Sequence, residues 1–320
     1  MTEGSASLIG VTVGIIAFRD YALLQKCLQR VRDQTASIER VIVVDNCPDG
    51  SKVQEIMQAF PTVCYLSQPE RRGFARSANL VIEGAAPGNA VLIMNADVFL
   101  EPDFLEKLLA FDRDPRAGIL GGRLEREDGS IDTVGIRLGK NGRAHDMRPL
   151  ASEVSREPFR VFAVCGAAIF LRPAFLEEVK ARHGEWFDAS FFQYHEDLDI
   201  GWRAQWLGWS CWTVPGAQGV HLRGWKTEAS KEIPTFIRRH AFKNQYLVFL
   251  KNAPVSLLLR DAIWLLAREL LRIGYSIVAD RGVLVGYLWA VRLFPRAWRK
   301  RQRIQRSRRI DSAAIRSWIR

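Results

Sequence analysis

Short, β-branched apolar runs alternate with stretches of helical apolar spacing through the first third of the chain. Val11-Thr-Val-Gly-Ile-Ile16 and Val41-Ile-Val-Val44 read as strands, and between them Leu23, Leu24, Cys27, Leu28 and Val31 recur at helical spacing. Short apolar strands joined through a helix are the unit of a parallel sheet buried on both faces. Cys64-Tyr-Leu66 predicts a weaker strand and Phe74 to Glu83 a helix. Ala90-Val-Leu-Ile-Met94 predicts another buried strand, and Phe104 to Phe111 a helix begun by Glu101-Pro102-Asp103. This alternation predicts an α/β fold.

The pattern then loosens. Gly121-Gly122, Asp128-Gly129, Gly139 and Gly142 predict turns between short segments, as hairpins or a flexible loop. Val161 to Leu171 predicts a buried strand, and Pro173, suited to a first helical turn, opens a helix to about Arg182. Glu196 to Leu207 predicts a helix, and Trp209 to Val214 a strand closed by Pro215-Gly216. From Val255 to Trp298, apolar residues and arginines alternate at helical spacing. The expected organisation is an α/β domain over residues 1–254 and a basic amphipathic helical extension over residues 255–320.

Charge sharpens that division. The 320 residues carry a net +11, and residues 255–320 hold 15 Lys and Arg against 4 Asp and Glu, which accounts for all of it. The body is neutral. Its basic extension suits an anionic membrane surface; the competing reading is a helical hairpin packed on the body or a homo-oligomer interface. A nucleic-acid partner is not expected, because the neutral body supplies no basic groove and no recognised binding motif occurs. The longest uncharged run in the extension, Gly282 to Val291, has 10 residues, too few to span a bilayer. The segment Met1 to Ser7 is acidic and polar, unlike a signal peptide. Cys27, Cys47, Cys64, Cys165 and Cys211 show no C-x-x-C spacing, the usage of a reducing compartment. The expected location is cytoplasmic, peripheral on the inner face of the membrane.

Candidate chemistry collects where ligands bind in open α/β sheets, at the carboxyl ends of strands. Asp45-Asn46 follows one predicted strand and Asn95-Ala96-Asp97 another, while His195-Glu196-Asp197 opens a helix after Phe191-Phe-Gln-Tyr194. Each acid alone reads equally as a cap for the next helix or turn. Together they suggest a divalent cation, Mg2+ or Mn2+, held by oxygen ligands and completed by a diphosphate, with a further carboxylate as general base. The chain has no G-x-x-x-x-G-K-[ST] loop, which excludes P-loop NTPases, and no G-x-G-x-x-G after the first strand.

The ordered set Phe18-Arg19, Val43-Val-Asp-Asn46, Arg71-Arg-Gly-Phe-Ala-Arg-Ser-Ala-Asn79, Met94-Asn-Ala-Asp-Val98, Val164-Cys-Gly-Ala-Ala168, Tyr194-His-Glu-Asp-Leu-Asp-Ile-Gly-Trp-Arg203 and Val220-His221 resembles the family 2 glycosyltransferases of GT-A fold, in particular their rhamnosyltransferase-like branch. The resemblance covers about residues 10–250. It implies an inverting transferase that moves a sugar from a dTDP- or UDP-sugar to a glycan or lipid-linked acceptor in bacterial cell-surface polysaccharide synthesis. It implies that Phe18, Arg19, Asp45, Arg72, Gly73, Asn79, Asn95, Ala96 and Asp97 line the donor site. Asp97 and His221 would bind the metal, although Asn95 replaces the first carboxylate of the family's D-x-D pattern. Asp197 matches the catalytic base, with Glu196 as the second candidate.

Aromatic faces suit sugar rings, so Trp186 and Trp225, with His195, are acceptor-side candidates; Trp206 and Trp212 read as core. Asp199 and Arg203, spaced i,i+4, read as an ordinary helix pair. Two rival functions are a sugar-1-phosphate nucleotidyltransferase, whose Gly-rich basic signature Ile16-Ala-Phe-Arg-Asp20 does not supply, and an inactive scaffold recruiting partners to a membrane.

Overall fold

The structure is a computed structural model that describes residues 9–18, 20–46, 50–68, 70–223 and 233–319, with only the backbone of Gly50, Ser51 and Lys52. Two site candidates, Arg19 and Trp225, lie outside the described residues.

The elements run β1 (Val11–Ala17), α1 (Tyr21–Arg32), β2 (Arg40–Asp45), α2 (Gly50–Ala59), β3 (Cys64–Ser67), α3 (Phe74–Gly84), β4 (Ala90–Asn95), β5 (Val98–Leu100), α4 (Phe104–Leu109), β6 (Ala117–Glu125), β7 (Ile131–Thr133), β8 (Ile136–Leu138) and β9 (Ala144–Asp146). Then follow β10 (Phe159–Val161), β11 (Ala168–Leu171), α5 (Pro173–His183), α6 (Glu196–Trp206), β12 (Ser210–His221), α7 (Thr235–Asn252), α8 (Val255–Arg260), α9 (Ala262–Ala279), α10 (Val285–Ser307) and α11 (Ser312–Ser317).

The predicted α/β alternation is the scaffold. The main sheet runs β10-β12-β6-β11-β4-β1-β2-β3, with β5 and β7 added on β12 and β6. β1 to β4 are parallel, in keeping with the largely apolar runs of β1, β2 and β4, and every residue of β1 is buried. β11 runs antiparallel between β4 and β6, and β12 runs parallel to β6. One face of the sheet packs on α1, α2 and α4, and the other on α3, α5, α6 and α7. Local signals hold the helices. Asp20 Oδ1 caps α1 by accepting from Leu23 N (3.1 Å), and α5 begins at Pro173 and ends on left-handed Gly184.

Three expectations fail, each for a physical reason. Gly121-Gly122 is not a turn but the middle of β6. A Cβ on Gly121 would lie 2.5 Å from Val164 and one on Gly122 2.3 Å from Ala217 O, so these glycines permit close packing inside the sheet. Val161 to Leu171 is not one strand. β10 and β11 are separated by a loop carrying Cys165 and Gly166. Finally, Pro215-Gly216 does not close β12. The strand passes through them with a register shift between Thr213 and Gln218 and continues to His221. A proline cannot donate to the ladder, and the irregularity absorbs it.

The extension does not stand apart from the body. Ala297, Ile304, Ile315 and Ile319 are buried in the core cluster that holds Trp202 and Trp206. Lys300 of α10 pairs with Asp188 (2.6 Å) and Glu185 (2.5 Å) of the body.

Candidate active site

Strand pairing assembles the first half of the site. β12 pairs antiparallel with β5, setting His221 opposite Val98, and Leu222 N donates to Asp97 O (3.0 Å). His221 Nε2 consequently lies 3.5 Å from Asp97 Oδ1. Its other ring nitrogen, Nδ1, lies 2.8 Å from Oδ2 of Asp132, a fully buried carboxylate in the middle of β7. Burial alone would discourage a charge on His221, but Asp132 and Asp97 outweigh it and hold its pKa up to about 9. Arg223 continues the network, pairing with Asp132 (2.5 Å) and with Asp146 of the β8–β9 hairpin (2.6 Å).

Asp197 forms the second half. It stands in the first turn of α6, half-buried. Its Oδ2 accepts from Gly166 N (3.0 Å) and its Oδ1 from Leu198 N (2.7 Å). Burial raises its pKa; these two N–H donors oppose the rise, and Asp146 adds to it, leaving Asp197 at about 6. Glu196 is buried deeper, and one of its carboxylate oxygens has no hydrogen-bond partner. Burial and the adjacent Asp197 push its pKa well above the usual carboxylate range. The two halves meet through the β10–β11 loop. Gly166 holds Asp197, and the next residue accepts from the strand end at β4, Asn95 N to Ala167 O (3.0 Å).

The turn before α6 is strained. Phe192, Tyr194 and His195 all have positive φ (69°, 72° and 66°), an unfavourable region for residues with side chains. Asn244 of α7 holds this turn, its Nδ2 reaching Phe191 O (2.8 Å), Gln193 O (2.7 Å) and Tyr194 O (2.8 Å). Gly73, at φ 77°, packs beneath it, since a Cβ there would meet Phe192 O at 2.3 Å. His195 occupies the cap position of α6. Its pKa is lowered to about 4 by burial, then by Arg268 and Arg272 of α9.

The donor-side candidates divide. Asp45 is fully buried, and its Oδ2 accepts from Tyr21 OH (2.9 Å) and Tyr65 OH (3.0 Å). Asn46 Nδ2 donates to Ser77 Oγ (2.8 Å), which lies 3.0 Å from Gly73 O. Phe18 is 39% exposed with the Arg71 guanidinium 4.1 Å above its ring, an open stacked pair, and Arg72 is exposed. Ala96 is buried between strand ends, its N–H donating to Ile16 O (3.2 Å). Asn79 spends both ends of its amide on the Phe187 backbone (2.8 and 2.9 Å), which fixes the segment leading to α6. Trp186 likewise donates its indole N–H to Leu176 O (3.0 Å) under α5. Asp132, Asp146, Gly166, Arg223 and Asn244 were not singled out as site residues. Asp132 and Arg223 bear on the site only through contacts about 90 positions apart, which no local pattern reveals.

A mixed central sheet flanked by helices, with Asp97 and His221 brought together at its strand ends, has the GT-A-type transferase fold. The chain belongs to glycosyl transferase family 2, whose model matches residues 12–178. It is 27% identical over 214 residues to N-acetylglucosaminyl-diphospho-decaprenol L-rhamnosyltransferase of Mycobacterium tuberculosis, an alignment covering 58% of this chain and 67% of that one. Among solved structures it is similar to GalNAc-T7 with UDP, GalNAc and Mn2+, at TM-score 0.61 and 15% identity over 76% of this chain and 49% of the other. It is also similar to S. aureus TarS, at TM-score 0.59 and 13% identity over 90% and 49%. Against residues 1–349 of TarS the values are 0.56 and 12% over 97% and 92%. The chain thus spans about half the length of the first two structures. It is a glycosyltransferase.

A divalent cation is the cofactor this fold implies. Among the described residues no group of three His, Cys, Asp or Glu side chains could cage a metal. Two donors, Asp97 Oδ1 and His221 Nε2, do face each other, and the Nδ1 contact to Asp132 fixes the ring orientation. That set suits Mg2+ or Mn2+ whose remaining positions are filled by diphosphate oxygens and water.

Proposed function

We propose that the protein is an inverting glycosyltransferase that takes a sugar, L-rhamnose in the reading we favour, from a dTDP- or UDP-sugar. The acceptor is a hydroxyl of a glycan or lipid-linked saccharide of the bacterial cell surface, met at the inner face of the membrane. The observation that carries the reading is Asp197. Its carboxylate is raised to about 6, aimed by two backbone N–H groups, and joined to the Asp97 strand end through Gly166 and Ala167. A base poised near neutral pH is ionised in the cell yet basic enough to take a hydroxyl proton. Asp197 receives that proton as the acceptor oxygen attacks the anomeric carbon from the face opposite the diphosphate, so a single displacement inverts the configuration. Asp97 and His221 would hold the cation, His221 giving up its Nε2 proton as the metal binds, and the cation would stabilise negative charge on the departing diphosphate. The Phe18–Arg71 pair offers a flat surface for the nucleobase. The sugar preference rests on the rhamnosyltransferase relative.

The test is a panel of nucleotide-sugars scored for thermal stabilisation with and without Mn2+, since a ligand stabilises the state it binds. Donors that bind are then carried to transfer, and the anomeric configuration of the product is read by NMR. Stabilisation by dTDP-rhamnose and an inverted product are expected. A retained configuration, or no stabilisation by any nucleotide-sugar, overturns the reading.

A further inference from the structure

α9 is built inside out. The residues it turns toward the body are mostly polar and engaged. Arg268 donates to Asn141 O (3.0 Å), and Arg272 reaches Gln245 Oε1 (2.6 Å) and Glu269 (2.9 Å). Glu269 accepts from Tyr246 OH (2.5 Å) and from Tyr287 OH, and Ser276 is buried. The opposite face is apolar and open to solvent: Ile263, Leu266, Leu270 and Leu271 are 65–76% exposed and Val278 85%, with Trp264 and Tyr275 among them. α10 adds exposed Leu288, Val291 and Phe294 in its first half and Trp298 just beyond it. A surface helix of a water-soluble protein has the reverse polarity, apolar stripe inward and charges outward.

Charge is segregated as well. Of the four acids in this region, Asp261 is buried against Arg260, Glu269 faces Arg272, and Asp280 pairs with Arg238 (2.9 Å). Only Asp311 is exposed. Arg281, Arg292, Arg296, Arg299, Arg303 and Arg306 all stand in solvent. A second copy placed on this face would bring the same cations against each other, whereas an anionic surface complements them. Among the described residues no helix is long and apolar enough to cross a membrane.

We infer that the outward face of α9 and the first half of α10 beds in the plane of an anionic lipid bilayer, with the flanking arginines on the headgroups. Leucine and valine side chains supply burial, tryptophan and tyrosine suit the headgroup boundary, and cations add attraction to anionic lipid. The same inward face carries Arg268 and Arg272, whose charges act on His195, two residues before Asp197. This deepens the membrane location proposed above, but its evidence and its test do not depend on the transfer reaction.

The test uses the full chain. Vesicles of phosphatidylglycerol and phosphatidylcholine should sediment the protein, pure phosphatidylcholine should do so poorly, and high salt should release part of it. Leu270→Glu with Leu271→Glu touches only exposed positions and should weaken partitioning by about 10²-fold with an unchanged melting profile. Arg292→Glu with Arg296→Glu should remove most of the preference for anionic lipid. Equal sedimentation of the leucine variant, or none of the wild type, overturns the inference. So does a concentration-dependent dimer that the leucine variant abolishes, which would make the occupant a second copy. If vesicle binding behaves as stated but no nucleotide-sugar binds, the inference stands and the proposed reaction falls.

Discussion

Asp197 and Asp199 stand two residues apart on α6, the first half-buried and the second fully buried, and their carboxyl groups are driven in opposite directions. Burial raises Asp197 to about 6, because only backbone N–H groups oppose it and the like-charged Asp146 adds to the rise. Burial would raise Asp199 too, but Lys251 and Arg203 overcome it and hold the group below the usual range. Lys251 Nζ lies 2.8 Å from both Asp188 and Asp199, and Arg203 Nε lies 2.9 Å from Asp199. Desolvation sets a debt for both acids; the presence or absence of a cation decides which one stays ionised. The helix thus carries the proposed proton acceptor on its first turn and, one residue beyond Leu198, an anchor to α7.

The widest test of this contrast exchanges one carboxylate for its amide. Asp197→Asn should lower turnover by about 10²–10⁴-fold, the usual worth of a general base, with donor binding retained. The wild-type rate should fall about tenfold per pH unit below about pH 6 and level off above it, and the variant should lack that limb. Full turnover in the variant would transfer the role to Glu196.

On the other side of the contrast, Lys251→Met removes the cation and leaves buried acids behind. Breaking a buried pair from one side costs about 3–5 kcal/mol, so denaturant midpoints should drop sharply. The sign with pH follows from the depressed groups Asp188 and Asp199. Their stabilisation is present above the ordinary carboxylate range and is lost as pH falls through their lower folded values. The gap between wild type and variant should therefore narrow on acidification. A constant gap would mean that Lys251 acts through packing alone.

How far the sequence could carry this is clear from the same helix. The acids at strand ends and the helix start were visible because a local break in an apolar pattern marks them. The i,i+4 spacing of Asp199 and Arg203 also predicted their pairing, but not that it is buried or that it includes Lys251 and Asp188. Those partners lie 52 and 11 positions from Asp199 and look like ordinary surface charges on a linear chain. β12 teaches the same lesson in reverse. A strong local signal, Pro215-Gly216, predicted a stop, yet pairing with β6 and β5 carries the strand on to place His221. Local chemistry marks what is unusual nearby; it does not reveal which distant charge compensates it.

A smaller effect is expected at the orienting carboxylate of the histidine. Asp132→Asn keeps the shape of the contact to His221 Nδ1 but removes the negative charge. Such outer partners are worth about 10–100-fold in metal affinity or activity. Mn2+ binding followed by its paramagnetic relaxation should weaken within that range, while donor binding measured without metal should change little. An unaltered Mn2+ affinity would show that His221 is oriented by the β12–β5 pairing alone.

The finest test asks whether the burial of Asp197 is a cost that the fold carries for function. A carboxyl group raised from 3.8 to about 6 in the folded state binds protons there that the unfolded chain has already released. Stability from this group is therefore lost as pH rises between those two values and is not regained above them. Asp199, held low, has the opposite slope at more acidic pH. Asparagine at 197 can still accept the N–H of Gly166 but carries no charge to desolvate. Asp197→Asn should therefore melt a few degrees above the wild type at pH 8, with the difference shrinking toward pH 5, where the native carboxyl is largely protonated. Scanning calorimetry at the two pH values reads this directly. A variant less stable than the wild type at pH 8 would mean that the two N–H bonds to the ionised carboxylate more than offset its burial, and that Asp197 resembles Asp199 after all.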